Sequence, residues 1–140
     1  MNYYRCEYFD IEELVDKATF TKWGEQAWMF FRPEALASLD QIRKFYNRPV
    51  TVNNWKWGGS FQYRGFRPRS VMVGAEYGQH RFGNAFDLDV NGVLAETVRR
   101  DIIANKDEIF THITCLEAKV SWVHFDCRNV PNRIMLVYPY

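Results

Sequence analysis

Two histidines and an aspartate stand in a pattern suited to holding a metal ion. His80 and Asp87 lie in the run His80-Arg81-Phe82-Gly83-Asn84-Ala85-Phe86-Asp87, and His124 lies in Trp122-Val123-His124-Phe125-Asp126. Zinc sites that do chemistry commonly take three ligands from His, Asp, Glu and Cys and leave a fourth position for water. Two neutral imidazoles and one carboxylate leave one positive charge on such a site, which lowers the pKa of bound water toward neutrality. Zn2+ is therefore the expected cofactor, although cobalt or manganese suits the same donors. The remaining histidine, His112, has no acidic or Cys neighbour at a ligand spacing and reads as structural.

These ligands need rigid elements to carry them. Asn84 to Val90 alternates in character as a strand does, so Ala85, Asp87 and Asp89 share one face. His80 precedes it in a loop containing Gly78 and Gly83, where the chain can fold back and bring an imidazole beside the carboxylate. In the second segment Trp122, His124 and Asp126 point one way and Val123, Phe125 and Cys127 the other, as in a half-buried strand. Asp126 fits a supporting role, orienting an imidazole N–H from outside the ligand set.

The pattern His-x-x-Gly-x-Ala-x-Asp followed by Trp-Val-His-Phe-Asp resembles the family of zinc D-Ala-D-Ala peptidases, whose relatives include bacterial carboxypeptidases, dipeptidases and phage endolysins that cut peptidoglycan stem peptides. The resemblance runs from Val50 to Arg128, and all four fixed positions of the first motif, His80, Gly83, Ala85 and Asp87, are filled. It implies a hedgehog/DD-peptidase-like fold, His80, Asp87 and His124 as zinc ligands, and a phage or prophage source. It also implies a zinc metallopeptidase of D-Ala-D-Ala carboxypeptidase or L-Ala-D-Glu endopeptidase type. The partner would be a peptidoglycan stem peptide, with phage tail or virion proteins as further candidates. The run from Asn53 to Arg67 resembles a phage-type variant of the segment that brings the family's arginine to the substrate.

Two positions depart from the family. Gly78 stands where Ser is frequent, and Ser121 stands three residues before His124, where many members carry the carboxylate that acts as general base. Geometry offers a replacement. If Ile113–Glu117 and Trp122–Cys127 form a hairpin with a two-residue turn at Val120-Ser121, Glu117 falls opposite His124 and projects beside the metal. A solvated edge charge, or a partner for Lys119, is the other reading of Glu117. For gripping a carboxylate in paired hydrogen bonds, Arg64 and Arg67 are the candidates, with Arg64 the closer match by distance to His80. Both are also placed to stack on Trp55, Trp57 or Phe61. The alternative function is a catalytically degenerate module of the same fold that binds cell wall or builds a phage tail, and Ser121 is its main support.

With 140 residues, 47% of them hydrophobic and 17% aromatic, the chain has apolar material for one domain spanning 1–140. Lys plus Arg is 18 against 17 for Asp plus Glu, so the excess of positive charge that dominates nonspecific nucleic-acid affinity is lacking. No apolar run reaches the roughly eighteen residues of a membrane span. The first residues lack the apolar core of a secretory signal, so the expected protein is made in the cytoplasm and reaches the cell wall after lysis or within a phage particle. Cys6, Cys115 and Cys127 are an odd number without a paired motif, and they read as free thiols.

The supporting elements are expected as follows. A helix opens at the capping Asp10, a helical turn lies among Trp23, Trp28, Phe30 and Phe31, and a second helix runs from Pro33 to Tyr46 with Leu36, Leu39, Ile42 and Phe45 as its apolar stripe. A strand begins at Pro49–Val52, and a helix from Leu94 to Asn105 turns Val98, Ile102 and Ile103 to the sheet. An edge strand at Arg133–Tyr138 ends the chain. The class is α+β: a single domain with a small antiparallel sheet flanked by helices, its ligands on the uncovered face.

Overall fold

The computed structural model describes residues 3–139. The first expected helix is only a single 3-10 turn, Ile11–Glu13, in which the Glu13 carboxylate accepts the Asp10 N–H at 2.8 Å. The chain stops there because Asp16 starts a new helix, its side chain accepting the Thr19 N–H at 3.0 Å. That helix, α1 (Lys17–Trp23), runs into a 3-10 stretch at Gly24–Phe30 that buries Ala27 and Trp28. Helix α2 spans Pro33–Tyr46, with Pro at its first position and Asn47 in the left-handed conformation at its end. Leu36, Leu39 and Ile42 of its stripe are buried, while Phe45 is 40% exposed and packs edge-on against Phe110.

Five strands follow: β1 (Val50–Thr51), β2 (Ala85–Val90), β3 (Cys115–Glu117), β4 (Val123–Asp126) and β5 (Met135–Val137), arranged in the order β1-β2-β4-β3-β5. The sheet is mixed rather than antiparallel, since β5 runs parallel to β3. The chain crosses from β4 past β3 before the last strand begins, so the C-terminal strand forms an edge as expected but in the opposite sense. Helix α3 (Ala95–Ala104) lies between β2 and β3 in sequence and packs on β2 and β4. Val98 and Ile102 are buried beneath it, but Ile103 is 41% exposed. The third inward position belongs to Arg99, which is buried, pairs with Glu96, and donates to the carbonyls of Trp122 and Val120 at 3.0 and 3.2 Å.

Sidedness follows from the period of two. Phe86 and Leu88 of β2, Leu116 of β3, and Val123 and Phe125 of β4 join α2 and α3 in one apolar cluster with Phe9, Leu14, Phe110 and Ile113. Asp87 and His124 point to the other face as directly opposed residues, and Ala85 and Asp126 pair beside them. Among the described residues no helix is long and apolar enough to cross a membrane.

Gly83 ties the two layers together. It ends the 3-10 turn Gln79–Phe82 with a φ of 64°, and its carbonyl accepts the Arg32 N–H at 2.9 Å. A Cβ here would run into the carbonyl oxygen of Phe30. Gly83→Ala should therefore cost about 3 kcal/mol or more through backbone strain and collision together. In a chain of this size that lowers the melting temperature by roughly 10 °C, which calorimetry would read.

Candidate metal centre

His80 sits in the 3-10 turn Gln79–Phe82, Asp87 in the middle of β2 and His124 in β4; all three are buried. One ligand atom from each lies within 4.8 Å of the others. Asp87 Oδ1 is 3.3 Å from His80 Nε2 and 2.9 Å from His124 Nδ1. Donor atoms around a tetrahedral zinc are separated by roughly 3.3 Å, given bonds of about 2.0–2.1 Å, so the spacing suits that ion.

The proton positions decide whether a cation belongs here. Nδ1 of His80 lies 2.9 Å from the carbonyl oxygen of Gly65, which only accepts, so Nδ1 carries the proton. Burial holds this imidazole below its ordinary range, leaving it neutral with a lone pair on Nε2. That lone pair faces a carboxylate oxygen. Burial opposes the charge of Asp87, but the two imidazoles, His124 foremost, together outweigh it and keep the carboxyl below the usual range. Two electron-rich atoms 3.3 Å apart in a buried site repel unless a cation lies between them.

His124 is flanked by carboxylates on both nitrogens, with Nδ1 at 2.9 Å from Asp87 and Nε2 at 2.8 Å from Asp126. Burial disfavours its charge, but the bonds to Asp126 and Asp87 prevail and push the pKa up to about 9. A metal ion at Nδ1 must therefore displace one proton, while Nε2–H stays on Asp126. Metal affinity should rise about tenfold per pH unit through neutrality and level off near pH 9, as competition titrations with a chromogenic chelator at several pH values would show.

Asp126 is fully buried and takes the supporting place expected of it. Arg128 grips it from Nε and Nη2 at 2.8 and 2.6 Å, and with the His124 bond this holds its carboxyl below the usual range in spite of burial. The chain His124–Asp126–Arg128 fixes the tautomer and plane of the ring. Asp126→Asn should weaken metal binding by roughly 10–100-fold while leaving all three ligands in place, measured by the same competition. The Arg128 clamp was missed in the sequence, where the spacing Asp-x-Arg at a strand end was its only signal. The Gly65 carbonyl carried no signal at all.

Continuing the register of Cys115 with Asp126 and Leu116 with Phe125 sets Glu117 opposite His124, as the hairpin reading required. The turn is different. Lys119, not Val120 or Ser121, has the positive φ of 60°, and Arg99 pins the carbonyls on either side of Ser121. Val and Ser do not readily take two left-handed conformations, so the loop is shaped from outside while the register stays. Glu117 lines one cleft of about 790 Å³ with His80, Asp87, His124, Arg67 and Trp122.

Of the two arginines, Arg67 is the one in this cleft. It donates to the Tyr63 carbonyl at 2.8 Å and to Asp87 Oδ2 at 3.2 Å, so it holds the oxygen of Asp87 that faces away from the imidazoles. Arg64 is turned into the adjoining hollow, paired with Asp89 at 3.0 Å and lying over the Phe61 ring at 4.4 Å. The arginine lining the cleft with both histidines is thus Arg67, while the one nearer by sequence preference, Arg64, lines the hollow beside it. Asn53 and the Asp87 N–H fix the Arg64 backbone, and the side chain falls toward Asp89. Ser121 lies in that second hollow, and His112 is exposed on the surface. The thiols of Cys6, Cys115 and Cys127 are free, and Cys127 faces Ser38 at 3.9 Å rather than the metal ligands.

Comparison of the chain with family models, with curated proteins and with solved structures finds no match to any of the three. The site is therefore defined by its own chemistry: a buried His-Asp-His cluster able to hold a metal ion, lining the cleft that Glu117 and Arg67 share.

Proposed function

We propose that this chain is a zinc-dependent peptidase acting on peptidoglycan stem peptides, of D-Ala-D-Ala carboxypeptidase or L-Ala-D-Glu endopeptidase type and of phage or prophage origin. The observation that carries the metal-dependent part is the buried convergence of His80 Nε2, Asp87 Oδ1 and His124 within 4.8 Å of one another, with the Glu117 carboxylate in the same cleft. The peptide substrate rests on the resemblance of the two motifs.

His80, Asp87 and His124 would hold the zinc, which would supply Lewis acidity toward a carbonyl oxygen and lower the pKa of water. Glu117, projecting from the end of β3 across from His124, takes the proton of the attacking water and returns it to the leaving amine. Asp126 and Arg128 hold the His124 ring against rotation as the charge of the site changes. Arg67 keeps Asp87 to one ligating oxygen by bonding the other, and the edge of its guanidinium facing the cleft is suited to a peptide carbonyl or carboxylate.

The test is release of peptides from purified peptidoglycan with and without a chelator. Cleavage that stops with chelator and returns with added zinc supports the peptidase. The degenerate module is the second reading, favoured by Ser121 in place of the family's carboxylate; it predicts retention on cell walls with no released peptide at any metal concentration.

A further inference from the structure

A third hollow, of about 780 Å³ and separate from the one Arg64 lines, adjoins the metal cleft and shares Gln79 and Arg128 with it. Its charge is one-sided. Arg32, Arg128 and Arg133 line it, and no acidic residue does. Arg128 spends Nε and Nη2 on Asp126. Arg133 bonds the carbonyls of Ile113, Lys106 and Phe110, which carry no formal charge, and meets Asp107 only at 4.0 Å. Arg32 is more than half exposed, with Glu34 at 3.8 Å. Three guanidinium groups around one hollow repel one another, and an anion seated among them relieves that repulsion.

An independent observation points to the rest of the ligand. Asn84 lines this hollow and is 5% exposed. Its amide donates to Gln79 Oε1 at 2.8 Å, and its own Oδ1 is buried without a partner. An unpaired buried acceptor costs stability unless a donor reaches it. The donor that fits beside a carboxylate is an N–H, and a peptide residue with an acidic group brings both.

We infer that this hollow is a subsite for the acidic residue of a peptide whose chain passes Gln79 and Arg128 into the metal cleft. The carboxylate sits among Arg32, Arg128 and Arg133, and a backbone N–H meets Asn84 Oδ1. This rests on the peptidase reading and adds the part of the substrate that gives specificity. A nucleic-acid phosphate would satisfy the cations but leave the Asn84 acceptor without a backbone amide.

The test uses two fluorescein-labelled stem-type tetrapeptides, one with the free carboxylate on its acidic residue and one with that carboxylate amidated. Anisotropy with the zinc-loaded protein should show the acid bound on the order of tenfold more tightly, with the difference shrinking at high salt. Arg32→Gln, which touches no metal ligand, should weaken the acidic peptide by about threefold and leave the amide unchanged. Binding of the two peptides within twofold of each other in the wild-type protein, or equal displacement of both by a short oligonucleotide, would overturn the subsite. Failure of the peptidase reading looks different: the acid is preferred in binding, yet neither peptide is cut.

Discussion

Asp87→Asn should lose zinc and activity together while the chain still folds. The carboxylate is the only anion among the three candidate ligands, and its Oδ1 lies within 3.3 Å of both imidazoles. An amide oxygen carries no formal charge to offset a divalent ion in a buried site, so the loss in affinity should exceed the roughly 10–100-fold typical of an outer partner. The metal-free protein should suffer as well. Arg67 loses its anion and the imidazolium of His124 is left with Asp126 alone, and breaking a buried pair from one side costs about 3–5 kcal/mol. A chelator competition for zinc and a denaturant titration of the metal-free protein would read the two effects separately. Unchanged zinc affinity in the variant would remove Asp87 from the ligand set.

Glu117→Gln should behave in the opposite way, keeping the metal and losing the chemistry. Glu117 is a neighbour of the cluster across the β3–β4 ladder rather than a member of it, so zinc content should stay at the wild-type level. The amide is close in size but cannot take a proton, and general-base catalysis contributes typically 10²–10⁴-fold. Turnover of a stem peptide should fall by about that factor with little change in KM, as an interaction made only in the transition state requires. A variant with normal turnover would assign the proton transfer to another group.

These two substitutions rest on parts of the molecule that were legible to different degrees. The face carrying Asp87 and His124 followed from alternation along Ala85–Val90 and Val123–Asp126, because a period of two fixes sidedness whatever surrounds the strand. The His124–Glu117 register followed as well, even though the turn expected to set it is not the turn that forms. Arg99 reaches in from α3 to hold that loop, and no local pattern announces a contact between residues more than twenty positions apart. The same limit hid the parallel pairing of β5, which depends on where a chain returns rather than on which residues it contains. Sequence distance to His80 favours Arg64 over Arg67, but the backbone around Arg64 is held by Asn53 and by the Asp87 N–H, and those bonds are tertiary. Helical spacing points Ile103 inward, but burial goes to Arg99 because its carbonyl partners lie beneath the helix.

In the cluster, residue types alone do not define a site. His80 and His124 are both histidines near one carboxylate, yet the Gly65 carbonyl leaves the first neutral and the pair of aspartates leaves the second charged. Their tautomers are set from outside the motif. Both arrangements converge on ligand atoms that face the same point, Nε2 of one ring and Nδ1 of the other, which is what three donors on two strands and a turn must achieve to share an ion.

The most direct measurement is the metal content, by mass spectrometry, of protein purified without added metal, beside the His80→Ala variant. About one zinc per chain in the wild-type protein, and none above background in the variant, is the result expected of a three-ligand site. No metal in either protein after incubation with excess zinc, or the same metal content in both, would contradict the assignment of His80, Asp87 and His124 as a metal centre.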